Sequence, residues 1–319
     1  MKVRLSVGAW KSGADDVTRF CLPSLLQDEN VPWLLDNGVD VAFTVYTIAS
    51  DAQHLAAVVE STVKKLASAA RALSARIEVI QNAEQMTPSS LKHHWIVREC
   101  EAGIRERSPI LLSGADGFWG NGTIANLAAY CHKPGIVTGA VYMRVDRAGF
   151  EQLLDRYRTA HGDRPISNAK LVDVGLRCAI PSLRESDADN DTNSSFHTGG
   201  SWRRLDERLH GLVVQLPSQT MFWPERSDID FLNVYSEGRP ESLDHMWQAK
   251  LIAEGRWRVM ASTDLAFLVE PTPADVAARQ HSYPCESGRL YNDDFYATLP
   301  HTLANRCGVI SVRSEPFLD

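Results

Sequence analysis

Apolar and polar positions alternate from the start of the chain. Val3, Leu5, Val7 and Ala9 are separated by polar or small residues, the period of a β-strand, and Gly8, Trp10 and Gly13 then open a loop. Val17 to Leu26 reads as a short helix, and Val39 to Thr47 as a second strand rich in β-branched and aromatic residues. Asp51 is placed to cap the next helix, because Leu55, Val58, Val59, Thr62, Val63 and Leu66 fall on one helical face. Ile77 to Ile80 gives a third strand. Thr87-Pro88 then supplies an N-cap and a first-turn proline, starting a helix to about Arg107 with Ile96, Cys100, Gly103 and Ile104 towards one side.

The stretch Pro109 to Leu127 reads as strand, site, helix. Ile110, Leu111 and Leu112 form the short apolar run of a strand buried on both faces, and the glycines Gly114, Gly117, Gly120 and Gly122 interrupt it. Ile124, Leu127, Ala128 and Cys131 follow at i, i+3, i+4 and i+7, an amphipathic helix. Asp116 is thereby presented beyond the carboxyl end of a strand and near a helix N-terminus, where open α/β sheets place ligands. The same residues also suit a tight turn in which Asp116 and Asn121 only bond the backbone. With Ile136 to Val145 as strand five, the order βαβαβαβαβ over residues 1–145 predicts an α/β fold: a Rossmann-like, mainly parallel sheet flanked by helices.

Beyond Asp146 the regularity fades into an irregular C-terminal half. Helices are expected over Asp146 to Thr159 and Asn168 to Cys178, and strands over Leu212 to Leu216 and Leu265 to Val269. The polar run Glu185 to Ser195 reads as a solvated loop. Ser242 caps a helix with Leu243, Met246, Trp247 and Leu251 on its apolar side. No repeat or linker marks a boundary, so residues 1–319 are expected to form one domain: 1–145 a nucleotide-binding half, 146–319 a half that wraps the sheet edge and completes the site.

A chain of 319 residues with 44% hydrophobic and 23% charged residues is not a disordered one. A net charge of −7 gives no basic footprint for nucleic acid, and no run approaches the roughly 20 apolar residues of a membrane span. The chain starts directly in a strand pattern, and a cytoplasmic location is expected. Cys21, Cys100, Cys131, Cys178, Cys285 and Cys307 are scattered without a Cys-x-x-Cys pair, which suggests buried, reduced thiols.

The phosphate-loop motif, the dinucleotide glycine order, the nucleophile elbow and His-Glu-x-x-His are all missing. Three segments remain as candidate chemistry: Asp116 in the glycine-rich turn, His197 in Ser-Ser-Phe-His-Thr-Gly-Gly200, and Asp244-His245 after Ser242. Asp, His and Asp together suit Mg²⁺ or Mn²⁺. Singly, His197 reads as a loop histidine bonded to backbone and Asp244 as a first-turn acid.

With Ser113-Gly-Ala-Asp116-Gly and Asn121-Gly-Thr123 after the fourth strand, Phe196-His197 further on and Ser242-Leu-Asp-His245 near the end, the chain resembles bacterial nucleotide-sugar-dependent glycosyltransferases of the GT-A type. The resemblance covers roughly residues 3 to 270 in element order. Relatives often carry Ser-Asp-Gly after the fourth strand and Phe-His later. Here the usual Asp-x-Asp is reduced to Gly114-Ala115-Asp116, and Asn121 stands in place of the second acid.

The resemblance implies transfer of a sugar from a nucleoside-diphosphate donor to a glycan or lipid-linked acceptor, as in polysaccharide biosynthesis, with oligomerisation left open. A cation and helix-end amides would stabilise the charge that develops on the leaving diphosphate. Asp116 and His197 would ligand a Mn²⁺ or Mg²⁺ ion, and the amides of Asn121, Gly122 and Thr123 would face phosphate. Gly8, Trp10, Tyr46 and Thr47 would receive base and ribose, while Asp244, assisted by His245 or His197, would serve as base or donor-positioning carboxylate. Trp202, Trp223 and Trp247 are candidate sugar-stacking faces, or core. With a single acid, either His197 and Asp244 complete the metal shell, or no metal is needed, or activity is lost. The other readings are a sugar-nucleotidyltransferase, weakened because the expected glycine-rich loop with its lysine is not recognisable after the first strand, and a non-catalytic carbohydrate-binding or assembly module.

Overall fold

The computed structural model describes residues 1–67, 73–131, 133–134, 137–180, 200–204, 209–214, 220–238, 251, 254–260, 262–275, 310–313 and 315–318. These residues group into two compact units, and the chain passes between them repeatedly. One holds Met1–Gly117, Ile124–Gly139 and Ser218–Arg258; the other holds Phe118–Thr123, Ala140–Pro217 and Val259–Asp319.

The first unit is an α/β layer structure on a mainly parallel sheet. Strands β1 (Lys2–Gly8), β2 (Asp40–Thr47), β3 (Leu73–Val79) and β4 (Ile110–Gly114) lie parallel in the order β3-β2-β1-β4. Three more strands extend the sheet beyond β4. They are β10 (Thr220–Phe222), antiparallel to both its neighbours, then β6 (Val137–Gly139) and β11 (Trp257–Val259).

Helices cover both faces of the parallel strands because the side chains of β1 alternate between two buried layers. Val3, Leu5 and Val7 are at most 1% exposed. On their face, Leu5, Val41 and Phe43 meet Leu22, Leu25, Val31 and Val59 around a small apolar cavity. Those last four residues come from α2 (Leu22–Leu25), which follows the short α1 (Ser12–Asp16), and from α3 (Val31–Asp36) and α4 (Ala49–Ala67). Residues Arg4 and Ser6, polar and equally buried, face α5 (Pro88–Glu106) instead. The Arg4 Nε–H donates to Glu99 Oε1 at 2.5 Å, and the Trp95 indole N–H donates to Ser6 Oγ at 2.6 Å.

Most expected elements of this half are present. Thr87 caps α5 by accepting the Ser90 amide at 3.1 Å, with Pro88 at the first helical position. The apolar stripe after the glycines forms α6 (Thr123–Tyr130), with Ile124, Leu127, Ala128 and Cys131 at most 1% exposed. Asp51 lies inside the first turn of α4 rather than capping it, because the helix starts two residues earlier at Ala49.

The fifth strand departs from expectation. The run expected as one strand is broken at Ala140 into β6, which pairs with β10, and β7 (Val141–Asp146), which pairs in parallel with β12 (Phe267–Thr272). Apolar residues run through both halves, with Val137 in β6 and Val141, Met143 and Val145 in β7, so the pattern alone does not mark where the chain changes sheets.

The second unit contains that second sheet, β5-β12-β7, with β5 at Phe118–Trp119. It also holds α7 (Arg147–His161), capped by Asp146, and α8 (Asn168–Arg177), capped by Ser167. A third sheet joins β8 (Gly200–Arg204), β9 (Leu209–Val214) and β13 (Ile310–Arg313). Among the described residues no helix is long and apolar enough to cross a membrane.

Candidate functional site

The strand order reverses at β1: the chain proceeds from β1 to β2 and β3 on one side, then crosses to β4 on the other. In open α/β sheets ligands bind outside the carboxyl ends of the strands at such a switch point. The strands end level here, since Gly8 is in register with both Tyr46 and Gly114. The loops leaving them also touch. A Cβ on Gly13 would lie 3.3 Å from Ala115 Cβ, and the Ala9 amide donates to the Tyr46 carbonyl at 2.9 Å.

The loop after β1 is a tight turn. The Gly13 amide donates to the Trp10 carbonyl at 3.1 Å, and the Lys11 amide donates to Asp51 Oδ2 at 2.6 Å, tying the loop to the first turn of α4. Trp10 is half-buried. Gly8 has no room for a side chain, because an added Cβ would lie 2.6 Å from the Trp95 ring and 3.0 Å from that of Trp10. Both indoles border this glycine.

Asp116 sits in the turn after β4, closed by the Gly117 amide donating to the Gly114 carbonyl at 3.3 Å, and is half-buried. The residues around it are fixed. Ser113 Oγ donates to the Gly114 carbonyl at 3.0 Å and lies 3.7 Å from Cys21 Sγ. Burial pushes the Cys21 thiol up to about 12; the Ser113 contact opposes that rise and the charge of Asp116 adds to it. A thiol held neutral in this way is no nucleophile.

The remaining expected site residues are placed as follows. Thr47 ends β2 fully buried, its hydroxyl without a hydrogen-bond partner among the described residues. Tyr46 turns into the core, where its hydroxyl donates to Glu99 Oε2 at 3.0 Å, and burial pushes its phenol up. Asn121 and Gly122 belong to the second unit. Two of the three amides expected to face phosphate are engaged there: that of Asn121 donates to the Ile166 carbonyl at 2.8 Å, and that of Thr123 to the Gly120 carbonyl at 3.2 Å. The next amide, of Ile124, donates to Asn30 Oδ1 at 3.0 Å within the first unit.

Gly120 is required where it stands, since an added Cβ would collide with Asn168 Oδ1. Trp223 is half-buried, with its indole N–H donating to the Cys131 carbonyl at 2.8 Å. His197, Asp244, His245 and Trp247 lie outside the described residues, as does the side chain of Trp202.

Gly8, Trp10, Thr47 and Asp116 therefore lie at the ends of β1, β2 and β4. Lys11 and Trp95 join them without having been singled out by sequence, and so does Asp51, read there as a helix cap, through its bond to the Lys11 amide. Asp51 is readable at the start of α4 but not against the loop after β1, 40 positions away, and Trp95 has no local signal because its partner Ser6 is 89 positions away. Among the described residues no three His, Cys, Asp or Glu side chains gather as cation ligands. Asp116 by itself does not make a metal centre.

No protein-family model and no curated protein sequence matches the chain. Among solved structures it is similar to the WbbM bifunctional glycosyltransferase, at 10% identity over 82% of this chain and 39% of that one, with a TM-score of 0.41. It is also similar to mouse xyloside xylosyltransferase 1, at 8% identity over 99% and 98% of the two chains, with a TM-score of 0.39. A third is the galactosyltransferase LgtC in complex with donor and acceptor sugar analogues, at 7% identity over 98% and 86%, with a TM-score of 0.35. The chain spans 39% of the length of the first of these.

Proposed function

We propose that the chain is a glycosyltransferase that takes a sugar from a nucleoside-diphosphate donor and passes it to a glycan or lipid-linked acceptor. The observation that carries this reading is the half-buried Asp116 in the turn after β4, directly beside the end of β1 at the switch point of the sheet. A nucleotide would lie across the β1 and β2 ends, with the half-buried Trp10 as a face for the base. The Asp116 carboxylate would accept hydroxyl groups of the donor sugar. His197 would serve as a metal ligand and the Asp244–His245 pair as the base, with a requirement for Mg²⁺ or Mn²⁺ tested by adding the ion.

Thermal shift and calorimetry with UDP-, GDP- and CMP-sugars, each with and without Mn²⁺, test this. One of them at about a hundred times its Kd stabilises the chain by about 2.7 kcal/mol. Asp116→Ala is expected to lose that shift and to melt as the unmodified protein does without ligand. No stabilisation by any donor rejects the reading.

A non-catalytic carbohydrate-binding module is the second reading, favoured by one observation: the amides of Asn121, Thr123 and Ile124 are already engaged within the protein. Donor binding without release of nucleoside diphosphate, in the presence or absence of acceptor glycans, selects it.

A further inference from the structure

Lys11 stands in a backbone conformation that favours glycine. Its φ of +58° and ψ of −127° are those of the first central residue of a type II′ turn, closed here between Trp10 and Gly13. A Cβ is strained at this φ, and the nearest glycines are Gly8 and Gly13. The turn is held from outside by Asp51, whose carboxylate accepts the Lys11 amide, and from inside by the Ala14 amide, which donates to the Lys11 carbonyl at 3.1 Å.

Every one of these bonds uses the main chain of residue 11. Glycine would make them all and relieve the strain, so the turn itself gives no reason for a lysine. What lysine adds is an exposed, charged side chain in the loop after β1, with no ion-pair partner among the described residues. The loop that carries it touches Ala115, next to Asp116.

We propose that Lys11 is held in this strained turn for its charge and contacts the diphosphate of the donor. The proposal rests on the reading of the switch point as a nucleotide-sugar site and adds the residue that meets the phosphates. A flexible ammonium suits that task because it neutralises phosphate as a point charge from a range of positions.

The test is calorimetry on the full chain with UDP, GDP and inorganic pyrophosphate, comparing the unmodified protein with Lys11→Ala, Lys11→Gly and Lys11→Arg. Lys11→Ala and Lys11→Gly are expected to bind about tenfold more weakly, and Lys11→Arg to bind nearly as the unmodified protein does. Melting without ligand isolates the backbone contribution: Lys11→Gly is expected about 2 °C above Lys11→Ala, since both lack the charge and only one keeps the Cβ.

Equal affinity of Lys11→Ala and the unmodified protein overturns the proposal and leaves the nucleotide-sugar reading standing. Lys11-dependent binding of pyrophosphate without stabilisation by any nucleotide sugar upholds the phosphate contact and removes that reading. Failure to bind any of the three anions overturns it, as does a Lys11→Gly variant no more stable than Lys11→Ala.

Discussion

Single residues at the sheet switch point have been chosen for fit as much as for chemistry. Gly8 shows this directly, because the point where its side chain would start is occupied by the Trp95 and Trp10 rings. The Trp95 ring is itself anchored to Ser6, so it cannot withdraw without giving up a buried hydrogen bond. Gly8→Ala is therefore expected to cost about 1–3 kcal/mol in urea unfolding and to change the near-ultraviolet circular dichroism of the indoles. An unchanged midpoint and spectrum would show that the rings shift freely. Asp116 was legible in the sequence from its place between an apolar run and a glycine cluster. Lys11 was not, because the sign of φ leaves no mark on hydrophobic periodicity. Tyr46 was misleading for a related reason: alternation assigns a strand residue to a face, and here that face is covered by a helix.

That covered face governs the element scale. Strands β1 and β2 are joined to α5 through charges: Arg4 binds Glu99 and Glu106, Lys2 binds Glu106 at 2.6 Å, and Tyr46 completes the coordination of Glu99. Burial acts to raise the Glu106 carboxyl, but hydrogen bonds from Lys2 and Arg4, with their charges, outweigh it and hold that carboxyl below the usual range. A carboxyl depressed on folding contributes stability that is complete above its unfolded pKa, about 4.3, and is lost as the pH falls through its lower folded value. Thermal melts from pH 7 to pH 3 are expected to fall more steeply for the unmodified protein than for Glu106→Gln. Parallel curves would remove Glu106 from the acid response. The elements themselves were readable: β1, β2 and β4 from their apolar positions, α5 from Thr87-Pro88, α6 from its stripe. Their pairing through Arg4 and Glu99 was not, because 95 positions separate the two.

For the whole molecule, the first βαβ units were legible because each rests on neighbours in the chain, and the mainly parallel sheet follows from them. The break of the fifth strand at Ala140 and the insertion of β10 between β4 and β6 were not. β10 contributes three residues, too few to show a period. Its place in the sheet nevertheless makes the first unit depend on a distant segment. A fragment of residues 1–146 lacks the strand that pairs with β4 and β6, and is expected to melt without a cooperative transition by circular dichroism; a sharp transition would show that the parallel strands suffice. The same insertion orders events during synthesis. At about 5–20 residues per second, Phe222 leaves the ribosome roughly 4–17 s after Gly139, so the growing chain waits with an open strand edge until its own later segment arrives. A chaperone that shields such edges would find its substrate in that interval.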